Sequence, residues 1–148
     1  MVSIERLIDE HRQVAMLSDA LSRAAGDATS SWLRATLVQL DAVLGAHLLT
    51  EDLEVYPDLL ARGDECQRHA AATAMADFNE LASDWQAFVA RWTERAIDAD
   101  RAGFADDSAR VLSALAARIR IENEVLYPLA LRSGTITLRE ARARITAN

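Results

Sequence analysis

The chain has 148 residues, 51% of them apolar and only 5% aromatic, with five glycines and two prolines. That length fits one domain with a real core, and abundant alanine beside few β-branched residues points to helix. The net charge of −7 excludes a general nucleic-acid binder, which needs a cationic face, and a single cysteine, Cys66, excludes an internal disulfide or a thiolate metal cluster.

The N-terminus, Met1-Val2-Ser3-Ile4-Glu5-Arg6, becomes charged too early for a secretory signal. No apolar run approaches the ~20 residues that span a bilayer, so a cytoplasmic protein without a membrane partner is expected. Helix A should start after Ser3, a good N-cap, and stop before Gly26. Its apolar stripe is Ile4, Leu7, Ile8, Val14, Leu17 and Leu21, with His11 inside it. Helix B is expected from about Thr29–Ser31 to Gly63, with the stripe Leu33, Leu37, Leu40, Leu44, His47, Glu51. Helix C opens on Asp64 with Gln67 three residues on, a capping-box pattern, and is expected to run to about Ala99.

Along helix C the apolar stripe is Phe78, Leu81, Trp85, Phe88 and Trp92, which serves either as core or as the face of a homodimer. Helix D is expected from Asp106 or Asp107 to Gly134. Thr137 and Glu140 form a second capping-box pattern, opening a short tail helix over about 137–146 with Leu138, Ala141 and Ile145 on one side and Arg139, Arg142 and Arg144 around the rest. Short loops between long amphipathic helices favour antiparallel neighbours. The expectation is an all-α fold over 1–148: one antiparallel up-down-up-down four-helix bundle, about 3–134, with a short C-terminal helix.

Helices B and D echo each other. Residues 44–63 laid on residues 115–134 bring Leu44, Ala46, Glu51, Tyr56, Pro57, Leu60 and Gly63 onto identical residues, among them Glu122, Tyr127, Pro128 and Gly134. A pseudo-twofold bundle follows from that repeat.

Charge in a helix core costs several kcal/mol unless it is paired or coordinated. His47 and Glu51 stand four residues apart and share a face with the leucines, and the repeat puts Glu122 in the same place on helix D. With His11 on helix A, these residues would converge near one layer of the bundle. Imidazole with carboxylate is a ligand set of iron, manganese or zinc. Taken singly, each residue has an ordinary reading: His11 as a hydrogen-bonded core histidine, His47–Glu51 as a surface pair, Glu122 as a solvated acid.

The segments Ala46-His47-Leu48-Leu49-Thr50-Glu51-Asp52-Leu53-Glu54-Val55-Tyr56-Pro57 and Ile121-Glu122-Asn123-Glu124-Val125-Leu126-Tyr127-Pro128, with Asp9-Glu10-His11 ahead of them, resemble the hemerythrin-like HHE cation-binding family. The likeness extends through about Gly134. It implies a helical bundle holding two iron ions bridged by two glutamates, with the pattern His, His-x-x-x-Glu, His, His-x-x-x-Glu. On this sequence the implied metal ligands are His11, His47, Glu51, His69 and Glu122.

The fourth family histidine is replaced by Arg118, which does not ligate metals. Oxygen carriers of the family use a further histidine where this chain has Thr73. The resemblance therefore implies iron, as a pair by family pattern or as one ion per chain because Arg118 stands in a ligand position. The roles it implies are handling dioxygen, nitric oxide or peroxide as carrier, sensor or stress protein. The alternative is a metal-free helical interaction module in which Arg118 neutralises the glutamates. Ferritin-like Glu-x-x-His and zinc-protease His-Glu-x-x-His motifs are absent. Tyr56 and Tyr127 lie half a turn off the ligand face, each just before a proline that interrupts the ladder, and are expected to be structural and not ligands, plugging one end of the bundle.

Overall fold

The computed structural model describes residues 2–138, and the described chain is helical throughout except for its turns and one isolated bridge. Four long rods carry the fold. The first is α1, Ile4–Ala24. The second is α2, Ser30–Thr50, continued through a π-helical stretch, Glu51–Val55, into α3, Tyr56–Arg62. The third is α4, Glu65–Arg91. A short α5, Glu94–Ala99, leads to the fourth: α6, Arg101–Ile121, a second π-helical stretch, Glu122–Leu126, and α7, Tyr127–Ser133.

Side-chain caps explain the starts. Ser3 accepts from the Arg6 amide, Thr29 from that of Trp32, and Asp64 with Gln67 closes a full capping box. Two boundaries differ from expectation. Helix C does not run on to Ala99: the ladder stops at Trp92, and the Thr93 hydroxyl caps α5 by accepting from the Ala96 amide. Helix D begins earlier than Asp106, at Arg101, because Asp100 caps it through the Gly103 amide. Ser30 and Arg101 tie these ends together, with Ser30 donating to Asp98 and the Arg101 guanidinium to Ala28 O and Ser30.

The aromatic residues of α4 are core. Phe78, Trp85 and Phe88 are buried, as is Trp92 beyond the helix end, and Phe88 stacks on Phe104. The indole N–H groups of Trp85 and Trp92 donate to Asp41 and Asp107, so burial leaves no donor unpaired there. Trp85, Phe88, Trp92 and Phe104 form one end of the interior with Val14, Leu21, Leu33, Leu37, Leu40 and Leu44, while Phe78 packs with Tyr56, Ala74 and Leu126. The aromatic stripe read as either core or dimer face is thus buried within a single chain.

A second apolar cluster gathers Leu7, Val55, Leu59, Tyr127 and Ile136. Ile136 is brought there by the segment after α7, where Thr137 pairs with Ser3 and its carbonyl accepts from the Ile4 amide. Along each contributing rod the polar residues fall between the two clusters: His11 between Leu7 and Val14, His47 and Glu51 between Leu44 and Val55, Glu122 between Leu115 and Tyr127. The expected tail helix falls mainly on residues 139–146, outside the described residues; Thr137 and Leu138 precede them in non-helical form. No described helix is long and apolar enough to cross a membrane.

Candidate metal centre

His11, His47, Glu51 and Glu122 are each at most 3% exposed, and one ligand atom from each lies within 4.8 Å of all the others. Their outer bonds set how they face. The His11 Nδ1 meets Asn123 Oδ1 at 2.8 Å, and the His47 Nδ1 meets a Glu10 carboxylate oxygen at 2.6 Å. With each Nδ1–H donated outward, both Nε2 atoms turn inward, 3.0 Å apart. Fixing the tautomer by a carboxylate or carbonyl behind the ring is the usual support of a metal-binding imidazole. Neither Glu10 nor Asn123 was singled out from the sequence for this role, although each directly adjoins a cluster residue, His11 or Glu122.

Glu51 divides its two oxygens. Oε1 faces the His47 Nε2 at 2.7 Å, and Oε2 accepts from Arg118 Nη2 at 2.9 Å. Arg118 Nε donates to Glu122 Oε1 at 3.0 Å, and the guanidinium carbon stands 4.0 Å from the Phe78 ring centroid. Arg118 is 4% exposed and points inward.

The tyrosines correct the expectation made for them. The Tyr127 hydroxyl lies 2.6 Å from Glu51 Oε1, to which it donates, and 3.0 Å from His11 Nε2. Tyr56 reaches Glu122 Oε2 at 3.0 Å and Glu51 Oε2 at 3.3 Å. Both belong to the cluster and do not merely plug the end of the bundle. The cause is the prolines. Pro57 and Pro128 have no amide hydrogen, and their rings clash with the carbonyl four residues back, so the ladder slips. The Tyr56 and Tyr127 amides bond the carbonyls of Glu51 and Glu122, five residues back, and this wider turn swings each tyrosine onto the face of its glutamate. A Glu-x-x-x-x-Tyr-Pro spacing was visible in the sequence, but only a π-helical turn makes it a shared face.

His69 is the other correction. It is exposed on α4 and takes no part in the cluster. The inward face of α4 is set by Ala71, Ala74, Phe78, Trp85 and Phe88, and at 100° per residue His69 points the opposite way. Near the cluster α4 therefore offers methyl groups and a phenyl ring. Cys66, also on α4, is exposed and free.

Burial and charge polarise the site. Desolvation lowers the His11 pKa to about 4, helped by the neighbouring His47, so its imidazole is neutral. Burial alone would lower His47 too, but its hydrogen bond to Glu51 and the charges of Glu51 and Glu122 outweigh this and raise it to about 9. Burial pushes the Glu122 carboxyl well up, reinforced by its hydrogen bond to Glu51. Glu51, against the same burial, is held below the carboxylate range by its bonds to Glu122 and His47 and by the Arg118 charge. Without a metal, the two carboxyls face two cations, His47 and Arg118. Only Ser18 and Ser108 among the described residues have a buried side-chain oxygen lacking a partner, and neither belongs to this cluster.

The donor set suits one ion. Two inward Nε2 lone pairs and two carboxylates are borderline-to-hard ligands of the kind that hold iron, manganese or zinc. A guanidinium occupies the far side of both carboxylates, and Phe78 of α4 covers its face. A cavity of about 30 Å³ lies beside Arg118, lined in part by Asp52, Tyr56, Phe78 and Asn79, with room for a molecule of one or two heavy atoms.

The hemerythrin HHE cation-binding domain family matches residues 2–130, nearly the whole described chain. The chain belongs to that family: it is a helical, metal-binding hemerythrin-like protein with a buried histidine and glutamate cluster that could hold an ion. No curated protein and no solved structure matches it.

Proposed function

We propose that this chain is a non-haem iron protein of hemerythrin type, an up-down-up-down bundle working in the cytoplasm. His11, His47, Glu51 and Glu122 would hold the ion. Bound iron would supply an open coordination position for dioxygen, nitric oxide or peroxide, in a carrier, sensor or stress role. The observation that carries this reading is the inward pair of Nε2 atoms, each backed by a hydrogen bond at Nδ1, facing two buried carboxylates. The chain's own contribution is to fix these donors before an ion arrives and to surround them with the buried Leu7, Leu44, Val55 and Leu115.

The test is elemental analysis of protein purified without chelator, with its near-ultraviolet and visible spectrum before and after exposure to nitric oxide. Bound iron and a ligand-dependent spectrum are expected; a metal-free protein that takes up no ferrous iron on anaerobic addition would sink the reading. A second reading is favoured by one specific observation: Arg118 already pairs with both glutamates, so the bundle is neutralised without metal. On that reading the protein is a metal-free helical interaction module, and the same measurement finds no iron at any loading.

A further inference from the structure

We infer that the Arg118 guanidinium is a permanent second cation of this site, so that the chain takes one metal ion and its two glutamates meet that ion without bridging it to another. This rests on the metal-binding reading above and adds the stoichiometry. Four observations converge. Arg118 occupies the position equivalent to His47 in the internal repeat, so its side chain starts from the place where a second set of donors would begin. It is buried, and charged at every working pH.

Its two hydrogen bonds take one oxygen from each carboxylate, Glu51 Oε2 and Glu122 Oε1, which are oxygens a second ion would need. Its flat face is stacked on Phe78 of α4, and His69 on the same helix is exposed. The guanidinium is thus gripped on its edge by two acids and on its face by a ring. The Tyr56 hydroxyl also lies within hydrogen-bond distance of both carboxylates, at Glu122 Oε2 and Glu51 Oε2.

The consequence is electrostatic. A unit positive charge within roughly 5 Å of a divalent ion, at an effective dielectric of about 20, costs that ion about four decades in affinity or more. Loss of a ligand adds to this. On the other side of the cluster the His47 Nε2 and Glu51 Oε1 face each other at 2.7 Å, on the carboxylate oxygen that Arg118 does not bond.

The experiment is anaerobic titration of metal-free, full-length protein with ferrous iron. Iron per chain is read by elemental analysis, and electron paramagnetic resonance is recorded after oxidation. Wild type is expected to hold one iron, giving the resonance of an isolated high-spin ferric ion. Arg118→His is expected to bind a second iron at least a hundredfold more tightly than wild type does, with loss of that resonance as the two ions couple. Arg118→Met guards against a variant that does not fold. It removes the charge without adding a ligand, and its thermal midpoint should rise more on iron addition than that of wild type.

Two irons per wild-type chain, with a coupled resonance, would overturn the inference and leave the function standing. No iron in wild type would overturn the function itself. An Arg118→His protein with wild-type helicity that stays at one iron, together with an Arg118→Met protein stabilised no more than wild type, would show that the guanidinium does not exclude the second ion.

Discussion

The second and fourth rods are built on the same plan and do different things. Each runs from a long helix through a π-helical turn opened by a Glu and closed by Tyr-Pro, and each turns its Glu and Tyr onto one face. The second rod places His47 four residues before its glutamate, while the fourth places Arg118 there. Both side chains reach the carboxylates. One brings a lone pair that an ion can claim once a proton leaves, and the other brings a charge that cannot leave. A shared backbone device therefore leaves the chemistry to a single side chain. The matching glycines also diverge: Gly134 ends α7 at φ 77, a left-handed conformation, whereas Gly63 is extended and a Cβ there would stand 2.5 Å from the Leu59 carbonyl oxygen.

The comparison breaks most visibly at His47. His47→Ala should reduce iron content by a hundredfold or more in apparent affinity, on the order of 3 kcal/mol, because a ligand atom and its paired Glu51 contact go together. His69→Ala, from the exposed side of α4, should leave iron content unchanged. Elemental analysis of the two proteins, purified in parallel, checks this; equal loss from both would mean that the ion lies elsewhere.

Arg118→Met should destabilise the metal-free protein by about 3 kcal/mol, since two buried carboxyls lose their common cation. Urea denaturation in the presence of a chelator measures it, and a loss below about 1 kcal/mol would show that the carboxyls neutralise themselves by holding protons. A pH series then separates the two rods. His47, raised to about 9 in the fold, contributes stability that is complete below pH 6.5 and is lost as pH climbs through about 9. His11, lowered to about 4, acts the other way: the unfolded chain takes up a proton below pH 6.5 that the native state refuses until about 4, so stability falls in that window.

Taken by themselves, the two histidines make the metal-free protein most stable near pH 6.5, with each limb worth roughly 3 kcal/mol. His47→Gln should remove the alkaline limb, whereas Arg118, which does not titrate there, supplies none to remove. Persistence of that limb in the glutamine variant would assign it to another group. The smallest effect expected is at the supports. Asn123→Ala frees the His11 ring to turn and should weaken iron binding about tenfold by the same titration. No change in affinity would mean that packing against Tyr127, stacked at 5.2 Å, already holds the ring.

Much of this architecture was legible in the chain. Regular three- and four-residue spacing of leucines reveals long helices, and a histidine or glutamate inside such a stripe must be paired or coordinated to be tolerated. That logic identifies His11, His47, Glu51 and Glu122, and the structure brings those four together. It fails where helical regularity fails. Tyr56 and Tyr127 were displaced by half a turn because a 3.6-residue period was carried through a proline-induced π turn. His69 was carried onto α4 by family pattern, against the helix's own apolar register, and the register prevailed because burying Phe78, Trp85 and Phe88 outweighs turning one imidazole inward.

By itself, then, the sequence determined the long helices, the caps at Ser3, Thr29 and Asp64, and the polar residues that their apolar faces must bury, because these follow from local periodicity and from the cost of an unpaired buried charge. Only the tertiary structure decided where Arg118 points. An arginine on a helix can lie outward along the surface or turn in, and the choice depends on groups far away in sequence: Glu51 on the second rod to take one N–H and Phe78 on α4 to cover the face. The same holds for Glu10 and Asn123, whose bonds aim the two imidazoles across rods. Such partners meet only when separate helices pack, and no periodicity within one helix can announce them.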